Sequence, residues 1–316
     1  MKKKISLLVV ALMIMSVIFS GCSQGTSSQK SKVFKIGIDN FGQANFFARI
    51  GKASMTDEII KNGGEVIATV SDNVPARITA IENMIAQGVD AIIIEEGDIA
   101  EAAAPLQEAK KKGIIIGSMD GGDADFVDVW ATSDNYQLGK ESAQKLMDYI
   151  GGKGNIVMIY NDLGAMIRTR ISALHDVLGN YPNVQIVASF VYAWPDFLPD
   201  VKAKMEAVLQ AHSKPGDIVG VFAPFDGAGV AADQAVRELG LQKYISIVGI
   251  DGDPEAYKAM QLPDASFKFT EAQDPDRIAR DTVDAVFELL KGNKIPERII
   301  YVPGQPITKD NIPAGS

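Results

Sequence analysis

Cysteine is all but missing. The 316 residues hold one, Cys22, and no second thiol exists for it to pair with inside the chain. A disulfide scaffold is therefore excluded, and a chain of this length can bury enough core to need none. Histidine is nearly as scarce, with only His175 and His212. No G-x-S-x-G or H-E-x-x-H motif accompanies them, which removes common hydrolase signatures and leaves no compact set of metal ligands. Positive charge is in deficit, 31 Lys and Arg against 40 Asp and Glu, for a formal net charge of −9. That balance argues against nucleic acid as a partner, because binding to phosphates depends on cations that displace counterions. No apolar run reaches the ~20 residues of a membrane-spanning helix.

The longest apolar run, residues 5–19, follows three lysines and precedes the small pair Ser20-Gly21 and then Cys22. This is the layout of an export signal over residues 1–21 rather than of a structural helix. The stretch "FSGC" is similar to the bacterial lipobox, which implies a lipid on Cys22. Residues 23–32, "SQGTSSQKSK", are polar and read as a flexible tether. The resulting expectation is an extracytoplasmic protein, periplasmic or held at the cell membrane by its N-terminal lipid.

From Val33 onward short β-branched runs alternate with helix-period stretches. The runs are "FKIGI", "EVIATV", "DAIIIE", "GIIIGS", "FVDVWAT", "NIVMIY", "VQIVASF", "DIVGVFA", "YISIVGI" and "SFKFT". Strands alternating with helices predict βαβ units and a mostly parallel sheet, and runs apolar on both faces predict helices on both sides of it. Ten units exceed one comfortable sheet. An internal echo divides them: "GIIIGSMDGGD" (113–123) matches "ISIVGIDGDPE" (245–255), and "GVDAIIIEEGD" (88–98) matches "GDIVGVFAPFD" (216–226). The echoes lie about one domain apart, so the fold class is α/β with two similar lobes.

Ligands of open α/β sheets bind beyond the carboxyl ends of the strands. Residues at those ends are Asp39-Asn40, Glu95-Glu96, Asp120-Gly121, Ser133 to Asn135, Asn161-Asp162, Tyr192 to Trp194, Phe225-Asp226 and Asp251-Gly252. Carboxylates, amides and aromatic rings recur at one edge of both sheets.

Over residues 34–303 the chain resembles the periplasmic sugar-binding proteins of ABC importers, the ribose-binding type in particular. The matching stretches are "FF" after the first strand, "GVDAIII", "SMDGG", "TSDNYQLGK", "VFAPFDGAG", "VGIDGDPEAYKA" and "AQDPDRIA". The resemblance implies two Rossmann-like lobes joined by a three-strand hinge, the fold of type I periplasmic binding proteins. Lobe 1 would hold 33–134 plus 274–302, and lobe 2 would hold 135–273 plus 303–316. It implies stacking rings at Phe46, Phe47 and Trp194, paired aspartates at Asp120 and Asp251, a hydroxyl-binding arginine at Arg168 and a hinge-side glutamine at Gln273. Asn40 falls where a polar residue follows the first strand. Three positions depart from the pattern. Gly121 stands where an arginine is common, Glu95 replaces an asparagine, and Phe225 replaces the asparagine before Asp226. The pocket so implied is more acidic and more aromatic than one for ribose, and Glu95 would suit a guest with an amine or additional hydroxyls.

Such a set suits a polyol. A carboxylate accepts from adjacent hydroxyls, a guanidinium donates to oxygen lone pairs, and rings cover C–H patches. The expected function is capture of a sugar or sugar-like polyol by a monomer and its delivery to an ABC permease, with no catalysis and no cofactor. A sensor presenting the same guest to a membrane receptor or kinase, or an exported carbohydrate-active enzyme, are the alternatives. "GAGVAA" (227–232) imitates a dinucleotide fingerprint, but "PFD" separates it from its strand. Phe46 aligns with Ile50, Ala53 and Ile60, which predicts a core stripe containing Phe46 and leaves Phe47 facing the strand end.

Overall fold

The computed structural model describes residues 32–315. The export signal and Cys22 lie outside them. Ten strands form where the ten apolar runs stand, and two short ones follow. The strands are β1 (Lys35–Asn40), β2 (Glu65–Val70), β3 (Ala91–Glu95), β4 (Ile115–Met119), β5 (Val129–Thr132), β6 (Gly154–Tyr160), β7 (Val184–Val191), β8 (Gly220–Phe222), β9 (Ser246–Asp251), β10 (Phe267–Ala272), β11 (Ile299–Tyr301) and β12 (Gln305–Thr308). The helices are α1 (Phe46–Lys61), α2 (Val74–Ala86), α3 (Ala103–Lys111), α4 (Asn135–Ile150), α5 (Ala165–Leu178), α6 (Phe197–Ala211), α7 (Asp226–Glu238), α8 (Pro254–Gln261) and α9 (Pro275–Leu290).

Two six-stranded sheets result, ordered β2-β1-β3-β4-β5-β11 and β7-β6-β8-β9-β10-β12. All pairs are parallel except β10 with β12. Each sheet therefore reverses its winding at the same place, between its first and third strands, and opens a crevice beyond their carboxyl ends. The sequence echoes occupy equivalent positions: β3 matches β8, and β4 matches β9.

Both faces of each sheet are covered, which is why the strands read as continuous apolar runs. In the first lobe one face packs Ile36, Ile38, Ile93 and Met119 against Phe47, Met55 and Ile59 of α1 and Ile278 and Phe287 of α9. The other face packs Ile92, Ile94 and Ile116 against α2 and α3. In the second lobe Val157, Val221 and Ile247 meet α6, α7 and α8 on one side, while Ile156, Phe222 and Phe269 meet α4 and α5 on the other.

The chain passes between sheets three times, from β5 to α4, from β10 to α9 and from β11 to β12. The first two passages end in aspartate helix caps. Asp134 accepts from the Gln137 amide (3.0 Å) and Asp274 from the Arg277 amide (2.9 Å). Such caps satisfy amides that have no partner within the helix, and here they also fix where each crossing stops. Pro275, at the first position of α9, adds a preset φ.

The α1 stripe differs from the one expected. Asn45 caps the helix through the Ala48 amide (2.8 Å), and the buried face is then Phe47, Ala48, Gly51, Met55 and Ile59. Ile60 is 60% exposed and Phe46 only half-buried. Phe47, not Phe46, is the core ring of this helix.

Candidate functional site

The carboxyl ends of both sheets face one another across a cavity of about 60 Å³. That is room for roughly four to six waters, the scale of one small polar molecule rather than of an oligosaccharide. The first lobe lines it with Phe41, Asn45, Glu96, Gly97 and Asp120; the second supplies Arg170, Tyr192, Trp194, Phe225 and Asp251 among others.

Asp120 and Asp251 follow or end equivalent strands and are only 4% and 3% exposed. Both have positive φ, +54° and +127°, which side chains rarely adopt; Asp120 lies in the left-handed α region, where Asp and Asn are the most tolerant non-glycine residues, and Asp251 lies beyond it. Each is held by one oxygen. Asp120 Oδ1 accepts from the Thr132 hydroxyl and from Asn135 Nδ2 (3.1 Å). Asp251 Oδ1 accepts from Gln273 Nε2 (2.9 Å) and Arg170 Nη1 (3.4 Å). Neither Oδ2 has a partner among the described residues, which leaves one acceptor per lobe at the cavity. The amides that hold them, Asn135 and Gln273, sit on the first two crossings between lobes, so the same segments that join the lobes orient the two carboxylates.

Arg170 is the buried cation of the site. Its Nε donates to Asn135 Oδ1 (2.7 Å) and its Nη1 to the Pro224 carbonyl (2.8 Å), while Nη2 has no partner among the described residues. Helix packing puts it there: a Cβ on Gly139 of α4 would lie 2.7 Å from the Arg170 Cα, so only glycine lets α4 and α5 approach this closely. Burial raises the Asp120 carboxyl and brings the Asp251 carboxyl up to about 6, against the opposing pull of Arg170 in both cases.

Aromatic rings close the floor. Trp194 stacks on Phe41 across the lobes (6.3 Å, 4° between planes) and on Phe197 within its own lobe (6.0 Å, 12°). Gly42, with φ +81°, leaves space for the indole, which a Cβ there would meet at 2.7 Å. Phe41 is itself backed by Arg77, whose guanidinium carbon sits 4.7 Å from the ring centre. The same Arg77 donates to Asp39 Oδ2 (2.8 Å) and to the carbonyls of Glu95 (2.7 Å) and Glu96 (2.8 Å), and so pins the loop that carries Glu96. Trp194 Nε1 and Glu96 Oε2 are buried without partners.

Of the expected residues, Asp120, Trp194, Phe225 and Asp251 meet at this cavity. Gln273 holds Asp251 from behind. The rest lie elsewhere. Phe47 is in the lobe core and Phe46 does not reach the cavity wall. Glu95 and Asn40 are paired beneath the wall, Asn40 Nδ2 donating to Glu95 Oε2, and burial together with Glu96 pushes the Glu95 carboxyl well up. Asp226 accepts from the Gly252 amide (2.8 Å), the Asp253 amide (2.9 Å) and the Thr270 hydroxyl (2.8 Å); it shapes the turn after Asp251. Arg168 faces outward and ties the lobes together at the rim, through Asp98 of the first lobe and Asp162 of the second. Two residues apart on α5, Arg168 and Arg170 diverge by ~200°, and the inward one is Arg170.

The strand-end positions had pointed to Glu96, Asn161 and Tyr192, all of which line the cavity. Phe41 and Asn45 lie one and five residues past β1, and no pattern marked them. The glycines of "GAGVAA" let α7 pack closely on its neighbours: a Cβ on Gly229 would meet Phe267 of β10 at 2.5 Å. Among the described residues no group of three or more His, Cys, Asp or Glu could hold a metal ion, and no helix is long and apolar enough to cross a membrane.

Residues 35–294 match the family described as the periplasmic binding protein domain. The chain belongs to that family. Among relatives of this periplasmic binding protein, the xylitol-binding protein of Mycolicibacterium smegmatis is 27% identical over 93% of this chain and 82% of its own length. The ribose import binding protein RbsB of Bacillus subtilis is also 27% identical, over 95% of this chain and 97% of its own. An ABC transporter solute binding protein from Agrobacterium vitis, solved with bound allitol, superposes with a TM-score of 0.84 at 28% identity, covering 89% of this chain and 97% of that one.

Proposed function

We propose that this chain is an extracytoplasmic solute-binding protein that captures a small sugar or sugar-like polyol between its lobes and delivers it to an ABC import permease. The observation that carries this is the paired arrangement at the cavity. Asp120 and Asp251 each present one unpartnered oxygen, from opposite lobes, beside the free Nη2 of Arg170 and the Phe41–Trp194 stack. Adjacent hydroxyls can then be shared between acceptors on both lobes, so a guest binds the closed form better than the open one and shifts the population toward it. Glu96, Phe225 and Tyr192 complete the contact set; Asn135 and Gln273 position the aspartates. The three passages between sheets act as the hinge and set the lobe boundaries.

The reading includes a monomer that carries out no covalent chemistry, held at the membrane by a lipid on Cys22. Closure presents a surface made of both lobes, which a permease can distinguish from the open form. A thermal-shift panel of pentoses, hexoses, polyols and their amino derivatives tests the binding claim. A micromolar binder at millimolar concentration stabilises by about 4 kcal/mol, several degrees for a chain of this size. A panel without any shift would count against the reading.

A further inference from the structure

The nature of the guest can be narrowed further, on the understanding that the cavity between the lobes is the binding site. Among the described residues three carboxylate oxygens at its wall accept no hydrogen bond: Glu96 Oε2, Asp120 Oδ2 and Asp251 Oδ2. The side-chain groups left over there that can donate are Trp194 Nε1, the Tyr192 hydroxyl and one guanidinium nitrogen, Arg170 Nη2. A hydroxyl brings one proton and two lone pairs, whereas an ammonium brings three protons and no lone pair. With Glu96 ionised the three carboxylate oxygens offer more lone pairs than these groups offer protons, so that state is better matched by an ammonium among hydroxyls than by hydroxyls alone. The residue count agrees, with three acids, Glu96, Asp120 and Asp251, around one guanidinium, Arg170.

Glu96 tips this balance. Asp120 and Asp251 are each held by two protein donors, but Glu96 receives only Asn45 Nδ2 (3.0 Å), on Oε1. Its backbone has φ +50° and Gly97 follows at φ +72°, an uncommon pair of left-handed residues that Arg77 secures through the Glu95 and Glu96 carbonyls. A side chain placed at such cost and left unpartnered is a candidate for ligand contact. We propose that the preferred guest is an amino sugar or amino polyol whose protonated amine sits between Glu96 and the two aspartates, its hydroxyls reaching Arg170 and Trp194.

The titration of Glu96 supplies an independent signature. The ionisable groups facing it are Glu95, Asp120, Asp251, Arg170 and the Tyr192 phenol. Burial, with Asp120 and Asp251 adding to it, pushes its carboxyl up to about 8. Below that value Glu96 holds a proton until an ammonium arrives, and binding then returns the proton to the buffer.

The test is isothermal titration calorimetry on the purified full chain near pH 6.5. The probes are sets that differ at one position: glucose, glucosamine and N-acetylglucosamine; the galactose and mannose equivalents; and sorbitol with 1-amino-1-deoxysorbitol. The proposal expects at least one amine to bind ~10-fold or more tightly than its hydroxyl and acetamido partners, with a heat that varies with the ionisation enthalpy of the buffer. Glu96→Gln should collapse that ratio. If that variant does not fold, the ratio and the buffer dependence of the unaltered protein decide. Neutral members that bind as tightly as their amines, or a preference that survives Glu96→Gln, overturn the amine and leave the binding site standing. Failure of every probe, amine and neutral alike, overturns both.

Discussion

Replacing Asp251 with asparagine separates binding from folding in one residue. Asparagine has the same shape and tolerates the same positive φ, so the turn after β9 need not move. Its carbonyl oxygen can take over the Oδ1 role toward Gln273 and Arg170. What changes is the other atom, an acceptor at the cavity that becomes an NH2 donor. A hydrogen bond to a charged group contributes ~1.5–3 kcal/mol. At 1.4 kcal/mol per tenfold, losing one weakens binding by ~10–150-fold, before any penalty for a donor facing a guest hydroxyl is added. Stability should move the other way. Burial brings the Asp251 carboxyl up to about 6, which means that keeping it ionised near neutral pH costs the fold stability, and Asp226 beside it is pushed up to about 7. Removing the charge relieves both, so the ligand-free Tm should be unchanged or slightly higher. Calorimetry with the tightest binder of the panel and a melting curve measure the two effects on one sample. A Kd within about threefold of the unsubstituted protein, at an intact Tm, would mean that Asp251 Oδ2 accepts no hydrogen bond from the guest.

Arg170→Met should abolish detectable binding, whereas Arg168→Ala, which breaks only the rim pairs to Asp98 and Asp162, should change the Kd by less than about tenfold; titration of both variants with one ligand checks it. Arg77→Ala leaves Asp39 buried without its cation and frees two loop carbonyls, so it should cost about 3–5 kcal/mol and lower Tm by roughly 10 °C or more, measured by thermal melts. Glu271 and Glu96 are each pushed up to about 8, chiefly by burial. Because these folded values lie above the unfolded value of 4.5, the fold holds protons that the unfolded chain has released, so stability is greatest at low pH and falls as pH rises through 8. The ligand-free Tm should therefore drop between about pH 5 and pH 9, and Glu271→Gln should flatten the slope; a rising Tm contradicts the assignment.

The sheets were legible because a strand covered on both faces must be apolar throughout, and ten runs of that kind stand in the sequence. β11 and β12 escaped notice because short, half-exposed edge strands carry no such pattern. Asp120 and Asp251 were legible for a different reason: the lobes repeat, and equivalent strands deliver equivalent acids. The errors were errors of phase. Reading the α1 stripe from Phe46 rather than from the Asn45 cap turned the helix by one residue and exchanged core for surface. The two arginines of α5 differ by two residues, and only the close approach of Gly139 to Arg170 decides which faces inward. Glu95 and Glu96 differ by one, and a left-handed residue at a strand end decides that case. Side-chain direction at such points depends on packing that lies far off in sequence.

A crystal structure of the protein with its tightest binder would show where the guest sits and what holds it. A single guest should lie between the lobes, with its polar groups within hydrogen-bonding distance of Asp120 Oδ2 and Asp251 Oδ2 together. A guest seated elsewhere, or touching one lobe only, would contradict this placement.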